Sequence, residues 1–150
     1  MSPLAIILKI EEGLMPENKS NGHTILVVED DDAVMDLAVN MFEFAGYEVV
    51  AASNAQDGLE RFEQHPEIDL VFSDLILPGG ATGIEMAKKI LTEKPQTLFL
   101  MATGYSDKGK ALASKTRQIP NIECIAKPYD INEVTSKVAA MISSQPAASV

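Results

Sequence analysis

The chain has 150 residues, of which 46% are hydrophobic and 23% charged, and it carries a formal net charge of −10. Its length fits one domain with a sizeable core, and its composition is typical of a folded soluble protein. The acidic charge argues against general binding to nucleic acid or to anionic membranes. The only cysteine, Cys124, excludes an internal disulfide and suits a reducing cytoplasm, and we expect it to pack as a small core residue.

The first 22 residues contain one short apolar run, LAIIL, followed by the turn-forming stretch PENKSNG. No basic residue precedes that run, which argues against a secretory signal, and no apolar run approaches the roughly 20 residues that span a bilayer. We therefore predict three parts: an N-terminal extension or linker over 1–22, a folded domain over 23–144 and a flexible tail over 145–150.

From residue 23 onward, short runs of β-forming residues alternate with segments of helical periodicity. The predicted strands span 24–28, 47–52, 69–73, 97–102 and 121–126. The predicted helices span 32–45, 53–62, 83–93 and 107–116, with a last helix that opens after Asp130. This alternation predicts an α/β fold of the flavodoxin-like (βα)5 type, a doubly wound five-stranded parallel sheet in a three-layer sandwich.

The helix ends carry their own sequence signals. Ser53 with Gln56, and Asp130 with Glu133, have the spacing of a capping box. Gly46 is expected to end the first helix. The apolar residues of that helix are expected to face inward, namely Val34, Leu37, Ala38, Met41, Phe42 and Ala45.

In a doubly wound sheet, ligands bind beyond the carboxyl ends of the strands. Those ends carry Glu29 and Asp30, Asp74, Thr103 and Lys127. Each residue alone has a plain interpretation as a cap, a turn residue or a solvated charge. Their convergence on one edge of the sheet favours a binding site.

Four consecutive acids, residues 29–32, follow the first strand and have two interpretations. Clustered carboxylates repel one another, so they could hold a hard cation such as Mg²⁺, or they could favour the positive end of the next helix. We assign Glu29 and Asp30 to the cation, and Asp31 and Asp32 to the helix. A carboxylate beside such a metal can attack a phosphoryl group and form an aspartyl phosphate, while a lysine and a hydroxyl bind the other oxygens.

The stretches ILVVEDD, DLVFSDLILPGG, MATGYS and AKPYD resemble, in order and in position, the signatures of the receiver domain of two-component response regulators. The resemblance covers residues 24 to about 143. It implies that Asp74 accepts the phosphoryl group and that Asp30 binds Mg²⁺ directly. It further implies that Glu29 binds the ion more weakly or through a water, and that the backbone carbonyl of Ile76 is another ligand.

The resemblance also assigns roles around the lysine. Lys127 would pair with the phosphoryl group, Pro128 would hold the lysine loop, often through a cis bond in this family, and Thr103 would move toward a phosphoryl oxygen. Ile76 and Tyr105, two residues after the acceptor and the threonine, would flank the path of an attacking water, and their bulk is predicted to slow loss of the phosphoryl group.

Three positions depart from the commoner family pattern. Glu29 stands where aspartate is usual, and the loop PGGATG is one residue longer, as in receivers of hybrid histidine kinases and related stand-alone receivers. Cys124 stands three residues before the lysine, where the family carries an aromatic switch residue. Tyr105 or Tyr129 could take over part of that role, or both could be packing residues at the edge of the site.

We therefore predict a cytoplasmic phosphoacceptor receiver, supplied by a histidine kinase or a histidine phosphotransfer protein. We do not expect an enzyme beyond Mg²⁺-dependent self-phosphorylation and autodephosphorylation. Output is expected through a protein contact on the face of the fourth helix, fifth strand and fifth helix. Four basic residues there could form a docking face or a plain solvated one: Lys108, Lys110, Lys115 and Arg117.

Two other functions compete with this prediction. One is a receiver-like interaction module that works without phosphorylation, against which the complete set of acids, threonine and lysine argues. The other is a hydrolase with an aspartyl nucleophile. Aspartyl phosphatases carry a second acid two residues after the nucleophile, and that position here is Ile76.

Overall fold

The structure is a computed structural model and describes residues 20–80, 82–104 and 106–145. Within these ranges the strands are β1 (Thr24–Val28), β2 (Glu48–Ala52), β3 (Ile68–Asp74), β4 (Leu98–Thr103) and β5 (Ile122–Ala126). The helices are α1 (Asp32–Phe44), α2 (Ala55–Gln64), α3 (Gly83–Glu93), α4 (Asp107–Thr116) and α5 (Ile131–Ser143), with a 3₁₀ turn at Pro78–Gly80. Tyr105 and nearly all of the predicted extension and tail lie outside the described residues.

All strand pairs are parallel, and the sheet order is β2-β1-β3-β4-β5. The predicted doubly wound α/β fold is confirmed, with strand and helix bounds within about two residues of the predicted ones. β1 is buried along its whole length, as expected of a strand covered on both faces. No helix in the described ranges is long and apolar enough to cross a bilayer.

The helices form two layers, one on each face of the sheet. α1 and α5 pack on one face, and α2, α3 and α4 pack on the other. In the first layer, aromatic rings meet edge to face: Phe42 lies 6.2 Å from Tyr47 and 5.3 Å from Phe72, and Phe72 lies 5.7 Å from Tyr129. These contacts connect α1, through the central strand, to the loop that follows β5.

The helix N-termini are capped by side chains, with one correction to the prediction. Asp31 accepts a hydrogen bond from the Val34 N–H (3.0 Å), and Asp130 accepts one from the Glu133 N–H (2.7 Å), as expected. The predicted capping box at Ser53 is wrong by one residue. Asn54 caps α2 by accepting from the Asp57 N–H at 2.8 Å, because an asparagine side chain is as good a cap as serine.

The inward face of α1 is narrower than predicted. Ala38, Met41 and Phe42 are buried, whereas Leu37 is 69% exposed. Leu37 is displaced from the middle of that buried stripe by about 90° around the helix axis, so its side chain faces solvent. Ala45 is also exposed because it lies just past the last helical residue.

Candidate functional site

The site is assembled at the carboxyl edge of the sheet, where main-chain pairing continues past the strand ends. The Glu29 N–H donates to the Ala52 carbonyl (3.0 Å), and the Lys127 N–H donates to the Thr103 carbonyl (2.8 Å). Asp74 is the last residue of the central strand, β3. The backbone therefore fixes where these side chains begin, independently of any ligand.

Four of the predicted residues converge on one small volume. Lys127 Nζ lies 2.7 Å from Asp74 Oδ1. One carboxylate oxygen from each of Glu29, Asp30 and Asp74 lies within 4.8 Å of the other two. Three carboxylates at this spacing are a donor set that fits a hard divalent cation such as Mg²⁺.

Burial and mutual repulsion determine the charge state of this cluster. The pKa of Glu29 is raised to about 7: burial is the largest cause and the nearby Asp74 adds to it, while the Asp31 N–H bond to Glu29 Oε1 (3.1 Å) works in the opposite direction. Burial lowers the pKa of Lys127, but the bond to Asp74 and the charge of Glu29 outweigh burial and raise it overall. The lysine therefore stays charged and compensates only part of the acidic charge.

A cleft of about 180 Å³ opens directly beside Asp74. Thr103 lines it, with its hydroxyl donating to the Gly104 carbonyl (3.2 Å), and Ile76 stands at its border with 43% of its surface exposed. Ser106 also lines the cleft and caps α4 by accepting from the Gly109 N–H at 3.0 Å. Sequence reasoning missed Ser106, although a serine three residues before a helical glycine carries a capping signal.

The loop between β3 and α3 is held against Asp74 by a glycine. The Gly83 N–H donates to the Leu75 carbonyl at 2.7 Å, and Ile76 pairs with Thr82 as an isolated antiparallel bridge. A Cβ on Gly83 would lie 2.6 Å from the Asp74 carbonyl oxygen, a separation that real Cβ atoms do not adopt. Gly83 is thus a second residue that sequence reasoning missed. Its role is to let the backbone of the loop lie against the backbone of Asp74, where a side chain would not fit.

The residues predicted for a switch lie in different surroundings. Cys124 is half-buried on β5, and its Sγ lies 3.3 Å from Thr116 Oγ1. The Thr116 hydroxyl donates its single hydrogen to the Ala113 carbonyl (2.6 Å). The Cys124 thiol is therefore the donor in its contact with Thr116. Tyr129 is half-buried against Phe72, which favours its interpretation as a packing residue. The bond between Lys127 and Pro128 is cis, the form that is frequent in the family that the motifs resemble.

A doubly wound sheet with three acids and a lysine at its carboxyl edge defines the class of CheY-like signalling domains. The chain belongs to the family described as response regulator receiver domain, whose sequence profile matches residues 25–139. It is therefore a receiver domain of the two-component systems, as the sequence motifs predicted.

Individual relatives agree with this assignment. The chain is 30% identical over 122 residues to the response regulator ArlR of Staphylococcus aureus, covering 81% of this chain and 53% of that protein. It is 28% identical over 127 residues to the sensor kinase CckA of Brucella abortus, covering 84% of this chain and 13% of the kinase. A CheY-like receiver structure from Methanospirillum hungatei matches with a TM-score of 0.69 and 29% identity over 81% of this chain and 94% of that one.

Proposed function

We propose that this receiver domain is phosphorylated on Asp74 by a histidine kinase or a histidine phosphotransfer protein. The observation that carries the proposal is the contact between Lys127 Nζ and Asp74 Oδ1 (2.7 Å) within a cluster of three carboxylates. Asp74 ends the central strand beside an open cleft, so a phosphoryl donor has access to it. In the transfer, an Asp74 oxygen forms a bond to phosphorus as the bond between phosphorus and the donor nitrogen breaks.

The surrounding residues have distinct tasks in this proposal. Glu29, Asp30 and Asp74 would hold Mg²⁺, with the Ile76 carbonyl as a further ligand, and the bound ion would neutralise carboxylate charge and draw phosphoryl oxygens into the site. Lys127 exchanges its bond to Asp74 for one to a phosphoryl oxygen, which keeps its charge compensated. Thr103 needs only to release the Gly104 carbonyl for its hydroxyl to reach the cleft.

The decisive experiment is to incubate the full chain with Mg²⁺ and acetyl phosphate, which can transfer its phosphoryl group and leave as acetate. Wild-type protein should gain a phosphoryl adduct, seen by intact-protein mass spectrometry, and Asp74→Asn should gain none. Asp36→Asn, an exposed acid on α1, is the matched control and should behave like wild type. An adduct that survives Asp74→Asn would overturn the assignment, and a folded wild type that takes no adduct would favour the interaction module without phosphorylation.

We further propose that the output face is formed by α4, β5 and α5. On this acidic protein four exposed basic residues are clustered on or just after α4: Lys108, Lys110, Lys115 and Arg117. Such a face suits an acidic protein partner, and its contribution would be screened by salt. Lys110→Glu with Lys115→Glu should weaken binding of a partner isolated on the beryllofluoride-treated chain, whereas unchanged binding would exclude this face.

The domain boundaries follow from the same proposal. The receiver spans residues 23–144, which contain all the described strands and helices, and residues 1–22 form an extension or linker before it. We propose a cytoplasmic location, where kinase and receiver can meet. Fractionation that places the full chain outside the cytoplasm would contradict that location.

A further inference from the structure

The outward side of α1 carries apolar surface that the other described residues leave open. Leu37 is 69% exposed and Phe44 is 45% exposed. They are seven residues apart, so they lie on one side of the helix about 10 Å from each other. Asp36 and Glu43, each exposed and one position earlier, form a parallel acidic row. We call these four residues the outer stripe.

The N-terminal chain joins the folded part at the foot of this stripe. The Asn21 N–H donates to the carbonyl of Gly46 at 2.8 Å, and Gly46 lies two residues beyond Phe44, the last residue of α1. The described part of the chain therefore begins beside the Phe44 end of the stripe. The sequence before it includes LAIILKI (residues 4–10), in which the single polar residue is Lys9.

We propose that residues 4–10 bind the outer stripe of the same molecule. Residues 11–20 can span up to about 33 Å, more than three times the length of the stripe, so the tether is long enough. A short tether also gives the segment an effective concentration on the order of millimolar at the stripe, which favours it over partners in solution. The segment is complementary in chemistry, because it supplies apolar side chains to Leu37 and Phe44 and one positive charge to the acidic row.

This inference goes beyond phosphotransfer and does not depend on it. It gives residues 1–22 a partner within the chain, and it makes the outer stripe a surface that other proteins reach only by displacing that segment. Charge repulsion argues against a second copy of the stripe as the bound group, because two stripes face to face would bring their acidic rows together. The segment LAIILKI contains no acidic residue and meets no such repulsion.

The chain contains no tryptophan, so one introduced tryptophan reports on the stripe without interference. In full-length Leu37→Trp, emission should lie at shorter wavelength and acrylamide quenching should be weaker than in the same protein with Ile6→Asp and Ile7→Asp. Phe44→Trp is a second reporter should Leu37→Trp misfold. The matched control is Glu60→Trp on α2, on the opposite face of the sheet, whose emission should not respond to the two aspartates.

The outcomes separate the proposal from its rivals. Identical emission and quenching with and without the two aspartates would overturn it. A signal that is lost on hundredfold dilution would assign the stripe to a second copy and would also overturn it. An effect that persists on dilution and is confined to the stripe reporters would establish the intramolecular contact, whether or not Asp74 takes a phosphoryl group.

Discussion

Replacing Glu29 by glutamine should stabilise the metal-free protein strongly at about pH 8 and only slightly at about pH 5. The pKa of Glu29 is raised from 4.5 to about 7 in the folded protein. This difference of about 2.5 pH units corresponds to about 3 kcal/mol at ~1.36 kcal/mol per pH unit. A raised pKa means that the unfolded chain binds fewer protons than the folded one, so stability falls as pH rises from about 4.5 to about 7.

Glutamine keeps the shape of the side chain and can still accept the Asp31 N–H bond at Oε1, but it has no charge to bury. The expected gain in the free energy of unfolding is about 3 kcal/mol at about pH 8 and under about 1 kcal/mol at about pH 5. Urea unfolding of wild type and Glu29→Gln in chelator at both pH values measures this gain, and the difference between the two proteins cancels the titration of groups that do not interact with Glu29.

Mg²⁺ should reduce the stability advantage of Glu29→Gln over wild type. A ligand that binds only the folded state stabilises it according to its affinity, and the variant has lost one of the three clustered carboxylates. Saturating Mg²⁺ should therefore raise the stability of wild type more than that of Glu29→Gln. A stability gain that is equal at the two pH values, or a Mg²⁺ response unaffected by the substitution, would refute this account of the acidic cluster.

Three further predictions concern single residues around the site. Ile76→Asn should shorten the lifetime of the phosphorylated protein several-fold by admitting water beside Asp74, measured as loss of labelled phosphate; an unchanged lifetime would contradict the shielding role. Gly83→Ala should destabilise the fold by about 2 kcal/mol or more through its clash with the Asp74 carbonyl, whereas Gly104→Ala, which has open space at Cβ, should cost far less in the same urea titration. Thr116→Val should lower the free energy of unfolding by about 1 kcal/mol because it removes the acceptor of the Cys124 thiol. Thr92→Val, which removes an exposed hydroxyl, is the control. Equal effects of the two substitutions would show that the hydrogen bond between Cys124 and Thr116 does not stabilise the fold.

The fold was predictable because its signals are local and repeated. Each strand is an apolar run bounded by turn residues, and the parallel alternation then brings Glu29, Asp30, Asp74 and Lys127 to one edge of the sheet. The ends of parallel strands meet wherever the helices lie, so the composition of the site followed from topology alone.

What the sequence could not predict depends on distances between elements. The exposure of Leu37 depends on the rotation of α1 about its own axis relative to the sheet. The spacing of apolar residues predicts that rotation only to within about one residue. The need for glycine at position 83 depends on a 2.6 Å approach to another segment's backbone. The contact between Thr116 and Cys124 joins the end of α4 to β5. The distance between those two elements is not predicted by any local sequence pattern.

Lys127 follows an edge strand, and this position determines the order in which the site would come apart during unfolding. β3, which carries Asp74, is paired on both sides, whereas β5 is paired only with β4. Because β5 has a partner strand on one side only, we expect it to open at lower free energy than β3, so mild denaturation should withdraw the lysine while β3 is still folded. Asp74 would then stand beside Glu29 without its counter-charge. The proposed phosphorylation site would then be lost while most of the sheet is still folded.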